Sequence, residues 1–313
     1  MDPITHGLIG LGIASFSGGD LSLQNPVYMS ALIGALAPDF DIVLQAKGDL
    51  FYLRHHRGVS HSIPGTALLA GLLTFPLALV FPEAPFWTLF TWAWLGAVSH
   101  SVVDIFNSYG AELFWPLYRK KVSVNLLNIF DPYLFLLLTA MLFAQEAVPA
   151  VHGWGIGLGA LYLALRFGLN RRVRRLLERK YGSQAKRIMV MPALKGNWTW
   201  DVFIETKDNF IVGHIYSFSL MFNLRRMLWK QHNSLIKTAL ESKLGRLFKE
   251  FTPLFYVSLQ RTEKGHLVRF FDLRYHLKQQ FLHTGTAIFN DENKLVEEVF
   301  SPYLGKRNIK IAS

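Results

Sequence analysis

The chain contains no cysteine, which excludes a disulfide framework and any zinc site built on thiolates. Charge is scarce as well: 18% of residues are Asp, Glu, Lys or Arg, against about 25% in an ordinary soluble domain. The scarcity is uneven. Residues 1–168 hold seven basic residues, Lys47, Arg54, Arg57, Arg119, Lys120, Lys121 and Arg166, so the net charge of +11 belongs mostly to the second half. Loops at 18–26, 82–85 and 145–153 have no Lys or Arg, only Asp20, Glu83 and Glu146. The opening Met1-Asp2-Pro3 lacks a basic n-region, and no cleaved signal is expected.

What the chain has instead is long apolar runs; 51% of residues are hydrophobic. Runs fall at 4–17, 27–44, 63–81, 86–106, 126–144 and 154–167. The loops at 47–60 and 108–125 carry six basic residues, and Arg171-Arg172-Val173-Arg174-Arg175 follows the last run. By the positive-inside rule these basic loops face the cytoplasm, which predicts about six membrane segments with both termini inside. The arginine run then reads as an orientation lock, and nucleic acid is not an expected partner. Beyond Gly182 the pattern shifts to short β-type runs at 188–191, 199–204, 210–218, 255–259, 267–273 and 284–289, with a helix expected over 225–251. The expected architecture is an α-helical polytopic membrane domain over 1–168, then a basic juxtamembrane helix over 169–183. A soluble, largely antiparallel α+β cytoplasmic domain completes it over 184–313.

Three polar clusters interrupt the apolar runs: Pro38-Asp39-Phe40-Asp41, Arg54-His55-His56-Arg57-Gly58-Val59-Ser60-His61-Ser62, and Ser99-His100 with Asp104. Ionisable residues are costly at membrane depth, so each is a functional-site hypothesis. A single histidine there reads most simply as an interfacial anchor, and His55 fits that description. The joint pattern argues for more, because the topology gathers His6, Asp39, His56, His61, His100 and Asp104 at the cytoplasmic leaflet. His100 and Asp104, four apart, project from one helix face. Gly58 allows a tight turn between His56 and His61. Nitrogen and oxygen donors without sulfur suit a divalent metal, with Zn favoured over Mn or Fe and one or two ions accommodated. These six residues are the candidate ligands. Arg57 and Asp41 are the candidate catalytic groups, Arg57 as a clamp on a phosphate oxygen. Asp41 and Asp131 fit helix caps equally well.

At these residues the chain resembles the YdjM/YfhP-like family, a bacterial and archaeal group described as predicted membrane-bound metal-dependent hydrolases. The matching elements are Thr5-His6 with Gly10, Pro38-Asp39-Phe40-Asp41, His56-Arg57-Gly58-Val59-Ser60-His61-Ser62, and Ser99-His100 with Asp104. Asp131-Pro132 matches more weakly, and the likeness covers roughly residues 1–170. Ser60 stands where the family often has threonine. The resemblance implies a multi-pass protein of the cell (inner) membrane with hydrolase activity and a bound metal.

Three functions compete. The first is a metal-dependent hydrolase at the cytoplasmic leaflet, with membrane lipid around it and a phosphoester or lipid-like substrate. The second is a metal-free lipid phosphatase with a histidine nucleophile, suggested by His100 and Asp104. Against it, Trp94 and Leu95 stand where such enzymes place an arginine. The third is a non-enzymatic membrane anchor with a structural metal, whose C-terminal domain binds a protein or DNA partner.

Overall fold

The helices of the first half begin where polar caps and prolines dictate. Asp2, Asn25, Ser62 and Asp131 each accept a backbone N–H at a helix start, and a proline follows within the first two positions. The computed structural model describes residues 1–145, 147–148, 150–194, 196–252, 254–263, 265–274, 276–277, 280–302 and 308–311. Glu146, one of the acids of the weakly charged loops, lies outside these residues. The chain divides into two units, Met1–Leu169 and Asn170–Ser313.

The first unit is helical: α1 (Pro3–Ala14), α2 (Pro26–Leu36), α3 (Asp49–His55), α4 (Ile63–Val80), α5 (Phe86–Asp104), α6 (Pro132–Ala144) and the first part of α7 (Val151–Tyr181). A tightly wound 3-10 stretch, Ala37–Lys47, continues α2 and carries Asp39 and Asp41. Small residues hold α1, α2 and α5 together. Ala31, Ala35, Ala93 and Ala97 are fully buried. A Cβ on Gly34 would overlap the backbone of Ala93, and one on Gly96 would overlap that of Ala31. Without side chains between them the backbones approach closely, as in membrane helix seams. His6 on α1, the Ala35 carbonyl on α2 and His100 on α5 are thereby brought to one level.

Among the described residues, two helical stretches are long and apolar enough to cross a membrane, Pro26–Lys47 and Ile63–Val80, where the sequence predicts about six. The shortfall has physical causes. The 12 residues of α1 and the 13 of α6 reach about 18–20 Å at about 1.5 Å per residue, short of a hydrocarbon core of about 30 Å. Asp131 and Pro132 start α6 late, so the expected run from 126 loses its first turns to a loop. α5 has 19 residues, but Trp87, Trp92, Trp94, His100 and Asp104 dilute its apolar character.

The second unit begins inside α7, so the basic stretch after 169 is the end of that helix and not a separate element. Val173 and Leu177 are buried while Arg171, Arg172, Arg174 and Arg175 are exposed. An antiparallel sheet follows in sequential order: β1 (Ala185–Pro192), β2 (Thr199–Thr206), β3 (Asn209–Tyr216) and β4 (Phe222–Trp229). β4 corrects the expected helix over 225–251. Residues 222–229 pair with β3, and helix forms only as α8 (Ser234–Glu241) and α9 (Lys243–Phe251), capped by Asn233 and Ser242. Then come β5 (Phe255–Thr262), β6 (Gly265–Asp272), a short hairpin of β7 (His276–Leu277) and β8 (Gln280–Phe281), β9 (Thr284–Phe289), β10 (Leu295–Ser301) and β11 (Ile309–Lys310). Their larger sheet runs β11-β10-β9-β6-β5, again antiparallel. Met191, Phe203 and Val212 of the first sheet pack with Leu254, Tyr256, Leu273 and Phe281, forming a core. The fold is thus a helical unit followed by an antiparallel α+β unit.

Candidate metal centre

Four elements of the first unit supply the site, and each is shaped locally to do so. α1 opens with the Asp2 cap, which sets His6 one turn into the helix. The 3-10 stretch after α2 turns Asp39 and Asp41 toward the segment 56–62. Within that segment Arg57, and not Gly58, takes the left-handed conformation, at φ 62°. Gly58 is needed for a different reason, since a Cβ there would stand 2.7 Å from the His55 carbonyl oxygen. α5 presents His100 and Asp104 one turn apart.

Their donor atoms converge. His61 Nε2 lies 3.2 Å from His100 Nε2, 3.5 Å from Asp39 Oδ1 and 3.6 Å from Asp104 Oδ2. His100 Nε2 lies 3.5 Å from Asp39 Oδ1 and 3.8 Å from Asp104 Oδ2. A tetrahedron around an ion with bonds of about 2.0–2.1 Å has edges of about 3.3–3.4 Å. Five donor spacings therefore sit near the edge length of such a cage. His6 stacks on His100 with ring centroids 3.5 Å apart. Its Nε2 is 3.4 Å from Asp104 Oδ1 and 2.8 Å from the Met1 amino nitrogen, which itself contacts Asp104 Oδ1. His6 thus joins the cluster, and with Asp39 and His100 it offers donor atoms within 4.8 Å of one another.

The tautomers decide what these atoms offer. His100 Nδ1 is 2.7 Å from the Ala35 carbonyl oxygen, which can only accept, so Nδ1 carries a proton and the neutral ring offers its lone pair at Nε2. Ser60 donates its hydroxyl to Asp41 Oδ2 at 3.1 Å. At 3.0 Å from His61 Nδ1 that hydroxyl must then accept, which leaves His61 Nε2 with a lone pair too. Burial pushes the His61 imidazole down to about 4, so it is neutral near pH 7, as a ligand must be. Asp39 Oδ1 is buried and accepts no hydrogen bond. Asp104 Oδ2 lies 2.9 Å from Arg57 Nε but out of hydrogen-bond alignment. Lone pairs facing one another without a proton between them repel unless a cation stands among them. The residues fit a divalent ion with nitrogen and oxygen ligands.

An outer group shares Asp39 with this cage: Asp39, Asp41 and His56 offer donor atoms within 4.8 Å of one another. Asp41 is no helix cap. It accepts from His56 Nδ1 at 2.8 Å, from the Arg57 N–H at 3.2 Å and from Ser60, which ties the histidine segment to the 3-10 stretch. Arg57 is buried, donates Nη1 to Asn107 Oδ1 at 2.9 Å and covers the Tyr109 ring at 5.2 Å. Its guanidinium therefore lies behind Asp104. Asp131 is a cap, accepting from the Tyr133 and Leu134 N–H groups, with Tyr162 donating to its other oxygen at 2.6 Å.

Two participants escape sequence reasoning. Asn107, buried, accepts from Arg57 and donates to Asp104 Oδ1 at 3.0 Å, which joins those side chains. Its position three residues after Asp104 was the available signal. Ser60 fixes the His61 tautomer, and its place beside His61 gave no hint of that.

Comparison with known proteins assigns the lineage. Residues 1–173 match the model of the family described as YdjM inner membrane protein, and 234–306 match that of the YfhP C-terminal alpha/beta plait domain. A curated relative from Bacillus subtilis (strain 168), "Uncharacterized protein YfhP", is 30% identical over 294 residues, covering 90% of this chain and 89% of the relative. No solved structure matches. The whole donor cage falls within the first match, and the chain belongs to the YdjM/YfhP-like family of inner membrane proteins.

Proposed function

We propose that the chain is an integral membrane, metal-dependent hydrolase acting at the cytoplasmic leaflet on a phosphoester or lipid-like substrate. The observation that carries this reading is the set of five donor spacings of 3.2–3.8 Å among Asp39, His61, His100 and Asp104. Those residues hold one ion, zinc in preference to manganese or iron by its fit to a compact cage of nitrogen and oxygen donors. A second ion, where two bind, is held by Asp39, Asp41 and His56. Bound metal supplies Lewis acidity and a water of lowered pKa.

The protein's own groups divide the remaining work. Arg57 and Asn107 fix Asp104 from behind, and the buried guanidinium keeps a positive charge beside the cage. Asp41 orients His56 and Ser60. Access is from one side, because His61, His100 and Asp104 are buried while the side chains of Asp39 and His56 are about a quarter exposed. Phe40, Ile42 and Val43 are exposed beside Asp39. An apolar rim at an opening of this kind favours a substrate with an acyl or other apolar tail. The basic loops favour a cytoplasmic position for the opening, with both termini on that side.

The test is turnover of phosphomonoester and phosphodiester lipid analogues by the full chain in nanodiscs, before and after chelation. Release that stops with chelator and returns with zinc is expected. Turnover that survives complete metal removal would replace this reading with the metal-free histidine phosphatase. A metal-loaded chain inert toward every analogue would favour the anchor with a structural ion.

A further inference from the structure

The two ends of the β1–β4 sheet differ in chemistry. Its register puts Pro192, Trp200, Ile215 and Phe222 in one row, so the β1–β2 and β3–β4 turns lie at the same end. The β2–β3 turn, Lys207-Asp208, lies at the other end, with Lys230 paired to Glu205 at 2.9 Å nearby. That end is charged, as a solvated turn should be.

The first end is apolar. Tyr216, Phe218 and Met221 are 43%, 55% and 62% exposed there. Phe218 packs against Trp198 at 5.5 Å and Tyr216 at 5.6 Å between ring centroids, so the two turns form one aromatic cap. The cap is held in shape. Ser217 N–H donates to the Trp198 carbonyl at 2.8 Å, Trp200 Nε1 to Ser217 Oγ at 2.8 Å, and Leu220 N–H to the Tyr216 carbonyl at 3.0 Å. A rigid exposed aromatic patch on a folded unit marks an interaction surface.

We propose that this aromatic cap docks on an anionic lipid surface, seating Phe218 and Met221 among the acyl chains and Tyr216 and Trp198 at headgroup level. Three observations select lipid over other occupants. The chain belongs to an inner membrane family, and its second unit is joined in sequence to the first through the helix α7. Tethering of that kind gives the surface a high effective concentration. Aromatic rings with one polar edge are the side chains that settle at the membrane interface. Charge is complementary as well. Lys180 Nζ lies 5.4 Å from the ring of Phe222, which adjoins the cap, and the exposed arginines of α7 belong to the same unit. An apolar insertion with basic residues beside it is the two-signal arrangement that gives stable membrane attachment.

The absence of cysteine makes the test clean. Full-length Phe218→Cys, Met221→Cys and Asp208→Cys chains carry an environment-sensitive fluorophore in nanodiscs of phosphatidylcholine and phosphatidylglycerol, with and without nitroxide-labelled lipid. The expected result is blue-shifted emission at 218 and 221, lost to the nitroxide, beside water-like and unquenched emission at 208. Water-like emission at all three positions overturns the proposal. Blue-shifted emission at 218 and 221 that the nitroxide leaves intact also overturns it, in favour of a protein partner on the cap.

Discussion

His61 and His100 bring their Nε2 atoms within 3.2 Å of each other. Each ring is held from its far side, His100 by the Ala35 carbonyl and His61 by a Ser60 hydroxyl already committed to Asp41. On the function proposed above, a cation stands between these two nitrogens. The predictions follow from how that state is maintained.

Ser60→Ala removes the group that fixes the His61 tautomer while leaving every donor atom in place. Metal affinity should fall by about 10- to 100-fold, the usual cost of losing an outer hydrogen bond to a ligand. Competition against a chromophoric chelator measures it. Unchanged affinity would show that Ser60 does not set the tautomer.

Arg57→Ala should retain the metal, because a guanidinium is a cation and cannot be a ligand. Metal affinity and turnover should nevertheless both fall by about 10- to 100-fold, the usual cost of losing a group that holds a ligand from behind, as Arg57 holds Asp104. Metal affinity and rate are read on the same preparation. Unchanged affinity and rate would show that Arg57 does not hold Asp104 in place.

Gly96→Val tests the helix seam. A Cβ at 96 would overlap the Ala31 backbone, and α5 must shift to admit it. Overpacking of this kind costs about 1–3 kcal/mol, and the shift also breaks the level of His100 with Ala35. The expected outcome is a folded but thermally weaker chain with reduced metal content. Full metal content with unchanged thermal stability would contradict the seam.

His283 governs a pH effect in the second unit. It is buried between Phe251 and Phe300, and burial pushes its imidazole down to about 4. The folded unit therefore keeps it neutral where the unfolded chain would protonate it. Its contribution is intact above the ordinary value of 6.5 and is lost as pH falls from there toward about 4. The loss should reach on the order of 3 kcal/mol. Opening free energies from hydrogen exchange of β6 and β9 amides should decline over that window, and His283→Gln should flatten the decline.

The clustering of His61, His100 and Asp104 is foreshadowed in the sequence because its signals are local: a histidine and aspartate four apart on a helix, and a histidine-rich segment between apolar runs. What brings them together is less visible. The seam of Gly34, Gly96 and Ala31 is a tertiary fact, and Gly58 suggested a turn that Arg57 actually makes. Asp41 looked like a cap or a catalytic group, and only its three partners reveal a residue that organises the loop. Apolar runs overstated the spans, since hydropathy does not see Asp131 beginning a helix late. β4 was missed because Arg225 and Arg226 read as the start of a basic helix, whereas pairing with β3 decides their conformation.

Metal content of the purified full-length chain, beside His61→Ala and Asp104→Ala from the same membranes, tests the central claim most directly. The account predicts one or two zinc ions per wild-type chain and depletion in both variants. A wild type free of metal after expression in zinc-replete medium, or variants that keep the full complement, would contradict it.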